Sequence, residues 1–266
     1  MHAAESPPSV PSQTGAPQPT RRWRRITARI FLAIGALLVV AVIGMLVWAN
    51  VGVMQAESDP LDKVRTNPAV SINETGDSFI LSPTGDASGE GLVFVPGAKV
   101  NAAAYLYKLS GAVAESGLTV VVTKPILNLA IFDQRSLDTF TDPVSDVDTW
   151  YVGGHSLGGV RACQYATQAD VSGVILFGSY CANDLADVNT RVLSLSGSAD
   201  LLSTPEKIMD AAHLLPSSTT FFPIEGANHA RFGDYGDQPG DGVATLSSTI
   251  VRDVITAEIG SFILKG

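Results

Sequence analysis

Ser156 sits at the centre of Gly154-His155-Ser156-Leu157-Gly158. A serine hydroxyl is a weak nucleophile alone. It becomes a strong one when it is thrust into solvent beside a base, with hydrogen-bond donors waiting for the negative charge that develops. The G-x-S-x-G spacing suits a sharp strand-to-helix turn, where side chains at the glycine positions would strike the neighbouring strand and helix. The flanks predict those elements. Thr149-Trp150-Tyr151-Val152-Gly153 is β-rich, and 157–168 lacks proline and has Val160, Cys163 and Ala166 at helical spacing.

The base must be one of four histidines. His2 lies in a polar tail, His155 is inside the turn, and His213 falls in a helix-like run over 205–215. His229 follows the strand-like run 219–224 and sits in Gly226-Ala227-Asn228-His229, a loop, where a general base belongs. In folds that set a serine on such a strand–turn–helix, the orienting acid follows the serine and precedes the histidine in the chain. Asp200 does, in Gly197-Ser198-Ala199-Asp200 at the end of the strand-like run 191–196; Asp184 and Asp187 are the fallback acids. Two backbone N–H groups should stabilise the oxyanion: that of Leu157, after the nucleophile, and one from the loop Pro96-Gly97-Ala98-Lys99 after the strand-like run 91–95. Ala98, after the turn glycine, is the expected donor and Lys99 the alternative.

Residues 91–264 resemble a small α/β-hydrolase of the kind near the dienelactone hydrolases. The resemblance rests on four blocks. These are Phe94-Val95-Pro96-Gly97-Ala98-Lys99-Val100, Gly153-Gly154-His155-Ser156-Leu157-Gly158-Gly159, Gly197-Ser198-Ala199-Asp200 with Thr204-Pro205-Glu206-Lys207-Ile208, and 228–236 continuing to Gly242. Dienelactone hydrolases proper use a cysteine nucleophile; here Ser156 holds that position. The resemblance therefore implies a serine esterase-like hydrolase with an α/β-hydrolase fold, not dienelactone chemistry, and supplies no substrate.

The remaining pattern predicts helices over 101–115 and 245–264 and strands at 120–122 and 174–177, an alternation that implies a mainly parallel sheet flanked by helices. Only 179–190 separates two of the strands, which leaves no room for a lid. Cys163 and Cys181 have no zinc-like spacing and could pair with each other. Asp234, Asp237 and Asp241 hint at calcium, but their spacing does not match an EF-hand loop. No cofactor or metal is expected.

The N-terminal region sets location. Residues 1–25 form an expected disordered cytosolic tail, proline-rich and ending in Arg21-Arg22-Trp23-Arg24-Arg25. The expected transmembrane helix is 26–48, within which 30–48 carries no charge, a length suited to a hydrocarbon core of about 30 Å. It is longer than a signal-peptide core of about 7–15 residues, and Met54-Gln55-Ala56 is a poor cleavage site. A linker is expected over 49–70 and the hydrolase domain over 71–266. The arginines before the span place the N-terminus in the cytosol and the hydrolase outside. Residues 50–266 hold 12 of the 17 Lys+Arg and 25 of the 26 Asp+Glu, a net charge of 12 − 25 = −13, which disfavours nucleic acid as a partner. The expectation is a membrane-anchored, extracytoplasmic serine hydrolase acting on small-molecule or lipid-like esters. The alternative is an envelope acyltransferase passing the acyl group to a sugar or lipid hydroxyl. A catalytically silent binding domain is the weakest reading, since the serine, histidine and aspartate are all in place.

Overall fold

The computed structural model describes residues 21–264; the expectation for 1–20 lies outside them. It divides into two units, 1–47 and 48–266. The first carries most of α1 (Arg21–Asn50), a helix long and apolar enough to cross a membrane. Its start corrects the expected tail, because 21–25 are already helical.

The second unit follows the order α2 (Ser58–Arg65), β1 (Val70–Glu74), β2 (Ser78–Pro83), β3 (Glu90–Val95), α3 (Leu106–Ser116), β4 (Thr119–Thr123), α4 (Asp138–Thr141), β5 (Thr149–His155), α5 (Leu157–Gln168), β6 (Gly173–Phe177), β7 (Arg191–Gly197), α6 (Pro205–Asp210), β8 (Thr220–Ile224) and α7 (Ser248–Leu264). The strands form one sheet in the order β1-β2-β4-β3-β5-β6-β7-β8, parallel from β4 to β8, with β1 and β2 antiparallel at one edge. The β3, β4 and β6 runs are apolar on both faces, as a sheet covered on both sides requires. Leu92, Phe94, Val120, Val122 and Ile175 pack with α3 and α7. Val93, Val95, Val121, Val152 and Leu176 pack on the other side, with α5.

The sequence pattern placed the strands and longer helices from β3 onward within a few residues, but not α2, β1, β2 or α4, and three of the placed helices differ in extent. The helix expected over 101–115 opens as a 3-10 turn (Ala102–Tyr105), and that over 205–215 breaks after Asp210. The last helix begins at Ser248 rather than 245. The stretch 49–70 is not a free linker. It carries α2, whose Val64 is fully buried in the core, and Met54 bridges to Val100.

Cys163 on α5 is bonded to Cys181, just past β6, with Cα atoms 5.6 Å apart. The bonded cysteines are 18 positions apart in the chain, and closing a loop of that length removes about 3 kcal/mol of chain entropy from the unfolded state. Between β6 and β7, residues 178–190 contain neither helix nor strand, so no lid element is inserted there.

Candidate active site

The turn between β5 and α5 carries Ser156 at φ 53° and ψ −123°, a left-handed conformation that L residues adopt only under strain of about 1–3 kcal/mol. The surrounding glycines make it possible. A Cβ on Gly158 would lie 2.0 Å from the Val95 carbonyl oxygen, and one on Gly154 would lie 2.4 Å from the Gly158 carbonyl carbon. The backbone is held from outside: Ser156 N–H donates to Phe177 O, and Ser179 Oγ donates to Ser156 O. Ser156 is half-buried and its hydroxyl is not spent capping α5.

His229 opens the 3-10 turn His229–Phe232 after β8. Its Nδ1 lies 2.7 Å from Asp200 Oδ2, with both side chains buried. The other Asp200 oxygen accepts N–H bonds from Leu202 (2.8 Å) and Ser203 (2.7 Å), so the carboxylate has little freedom to turn. Asp184 is exposed and accepts only from its neighbour Ala186, and Asp187 is exposed as well. Of the three acids weighed in the sequence, the structure pairs Asp200 with the histidine.

The loop Pro96-Gly97-Ala98-Lys99 packs against the turn. Gly97 N–H donates to Tyr105 Oη, and Lys99 N–H donates to Asn128 O. Ser156 N–H is likewise occupied. Among the described residues no acceptor in the chain takes the N–H of Ala98 or Leu157, the two expected oxyanion donors. Lys99, at φ 55°, is the left-handed third residue of a turn closed by Val100 N–H to Gly97 O, and its amide is already used.

Sequence reasoning missed three supporting residues. His155 is buried with its Nδ1 2.9 Å from Tyr105 Oη, and its ring centroid lies 4.3 Å from that of His229. Burial, reinforced by the neighbouring His229, pushes its pKa well below the usual histidine value. Burial raises the Tyr105 phenol above its ordinary range, so it stays protonated. Asp241 is the third. Its carboxylate accepts from the N–H groups of His229 (3.2 Å), Ala230 (2.9 Å) and Gly242 (2.7 Å), fixing the histidine turn from below. Asp241 and Asp234, weighed above as calcium ligands, thus have other partners: Asp234 pairs with the buried Lys108 at 3.0 Å. Among the described residues no group of three His, Cys, Asp or Glu side chains is placed to hold a metal ion. No spacing rule reaches these residues; their partners lie 50 or 12 positions away in the chain. A cavity of about 620 Å³ opens at the opposite end of the sheet, lined by Glu90, Tyr151, Arg191 and Ser217, and holds no nucleophile–base pair.

Comparison with known proteins agrees with this fold. No curated protein sequence matches significantly. Among solved structures, a dienelactone hydrolase from Anabaena variabilis superposes with a TM-score of 0.52 at 16% identity, over 71% of this chain and 96% of its own. A Xanthomonas campestris protein described as an α/β serine hydrolase without a lid gives 0.52 at 14%, over 74% and 96%. Est1E from Butyrivibrio proteoclasticus gives 0.53 at 10%, over 74% and 98%. At such identities the likeness is one of fold. The sequence profile of the alpha/beta hydrolase family matches residues 91–253, more than half the chain, and spans the serine turn, Asp200 and His229. The chain belongs to the alpha/beta hydrolase family.

Proposed function

We propose that this protein is a serine hydrolase of carboxylic esters, anchored in a membrane by α1 with its catalytic domain on the extracytoplasmic side. The observation that carries the reading is the buried 2.7 Å bond from His229 to Asp200 next to a serine held in a strained turn. His229 takes the Ser156 proton as the hydroxyl attacks the ester carbonyl. Asp200 fixes the imidazole and offsets its positive charge. The N–H groups of Leu157 and Ala98 receive the oxyanion. His229 then protonates the departing alcohol, and water, activated by the same imidazole, releases the acid from the acyl-enzyme.

The lidless stretch 178–190 favours small or short-acyl esters, since each methylene left unburied forfeits about 0.8 kcal/mol. It also leaves the acyl-enzyme open to water, which favours hydrolysis over transfer to a sugar or lipid hydroxyl. The disulfide supports an oxidising compartment. The test is kcat/KM across p-nitrophenyl esters of increasing acyl length, with and without a sugar acceptor. Highest values for the short acyl chains and free acid as product support the reading. A maximum for long chains, or acylated acceptor as the main product, rejects it. Protease added to intact spheroplasts should digest the domain; full protection would reverse the orientation.

A further inference from the structure

The loops at the catalytic end of the sheet carry large apolar side chains in solvent. Ile126, Ile131 and Phe132 follow β4, Leu201 follows the acid Asp200, and Val243 lies in the loop after the histidine turn. Ile131 and Leu201 are about three-fifths exposed and Val243 is 86% exposed. Each costs hydration at a site where a polar residue would serve a purely aqueous rim. Elsewhere in the domain exposed apolar residues such as Met209 and Ile250 stand singly on helices.

The same face holds the end of α1. Lys99 Nζ, from the loop that presents Ala98, donates to the carbonyls of Trp48 (2.7 Å) and Val51 (3.1 Å) and lies 4.1 Å from the Trp48 ring centroid. Asn128, whose carbonyl receives the Lys99 N–H, donates its side-chain amide to Ala49 O at 3.3 Å. All these residues belong to the domain unit. Trp48 is also the last large apolar residue of α1, the place where an amphipathic indole marks the headgroup level. Chain connectivity alone therefore brings the Lys99 and Asn128 loops to within a residue or two of the bilayer surface.

We propose that this apolar rim is a lipid-docking surface, so that the mouth of the Ser156 site lies against the outer face of the membrane. The inference rests on the anchored reading given above. Ile126, Ile131, Phe132, Leu201 and Val243 enter the interfacial layer, while the acidic remainder of the domain faces water. The ester reached is then one carried at headgroup level by a membrane-resident molecule, its short acyl group entering the open site.

The test uses the full chain in phosphatidylcholine nanodiscs, with an environment-sensitive dye on Ile131→Cys, Phe132→Cys or Val243→Cys. Ser217→Cys, at the far end of the sheet, is the control. Carbonate extraction of membranes comes first. A chain that leaves the pellet is not anchored, and the docking proposal falls with the anchor. With the chain anchored, dyes at 131, 132 and 243 should shift to the blue and be quenched by doxyl-labelled lipid several-fold more than the dye at 217. Equal, weak quenching at all four overturns docking and leaves the anchor standing. A blue shift without lipid quenching points to a second copy of the chain and also overturns it. Turnover of p-nitrophenyl butyrate checks that each variant is folded. The double variant Ile131→Lys/Phe132→Lys should keep that turnover while losing on the order of 10-fold against a butyrate ester displayed on a lipid headgroup, because local concentration at the surface is lost. Equal effects on the two substrates would contradict the proposal.

Discussion

The His155 ring lies 4.3 Å from that of His229, and burial holds His155 uncharged beside the residue we propose takes up the serine proton. Two adjacent imidazoliums would repel, so a neutral His155 suits the role proposed for His229. The arrangement has a cost in acid. Below the ordinary histidine value of 6.5 the unfolded chain binds a proton at position 155 that the folded chain does not. Folding stability should therefore fall as pH drops through about 6.5 and continue falling until the depressed folded value is reached. Denaturant unfolding from about pH 8 to pH 5 should show a shallower loss for His155→Gln than for the parent; identical slopes would remove His155 as the source.

Replacing Ser156 or His229 with Ala should each lower kcat by at least ~10³-fold, and the double replacement should cost little more, because the members act as a unit. Asp200→Asn should be severely impaired, whereas Asp184→Asn, on the exposed loop, should be close to normal. A harmless Asp200→Asn would break the assignment of the acid.

Ala98 is the second residue of a turn whose third residue, Lys99, is left-handed. Proline is well suited to that second position, so Ala98→Pro removes one N–H while keeping the turn. It should lower kcat by about 10²–10³-fold, with little change in Tm. Unchanged kcat would show that Ala98 is not an oxyanion donor.

Gly178 follows β6 at φ 47°, and a Cβ there would lie 3.0 Å from Asp200 Oδ2 and 3.2 Å from His229 Nδ1. Gly178→Ala combines backbone strain of about 1–2 kcal/mol with pressure on the hydrogen-bonded Asp200–His229 pair. Both Tm and kcat should fall, and kcat should fall by more than the loss of folded protein explains. Wild-type kcat in the folded variant would show that the pair tolerates the displacement.

The serine turn, the strand after which Asp200 sits and the loop of His229 were legible because each is a local pattern: glycine spacing, a β-branched run, a polar break. The alternation of apolar runs gave the parallel half of the sheet for the same reason. The antiparallel edge did not show. Ile72, Ile80 and Leu81 sit in short runs whose partners, Leu81 opposite Ile72 and Val121 opposite Ile80, are set by pairing across the chain. Residues 49–70 read as a linker because Asn50, Gly52, Asp59-Pro60 and Asn67-Pro68 are turn-like in composition. Pro60 is nevertheless accommodated in the first turn of α2, where its missing N–H costs nothing, and Val64 anchors the helix. Tyr105 and Asp241 act through bonds to residues far along the chain, and composition carries no trace of such pairings.

The central claim is that Ser156 is the activated nucleophile. A fluorophosphonate probe phosphonylates such a serine and spares ordinary ones. Peptide mass spectrometry of the labelled full-length chain should find the adduct on Ser156, lost in His229→Ala. An unlabelled Ser156 in folded protein, or an adduct confined to another serine, would contradict the account.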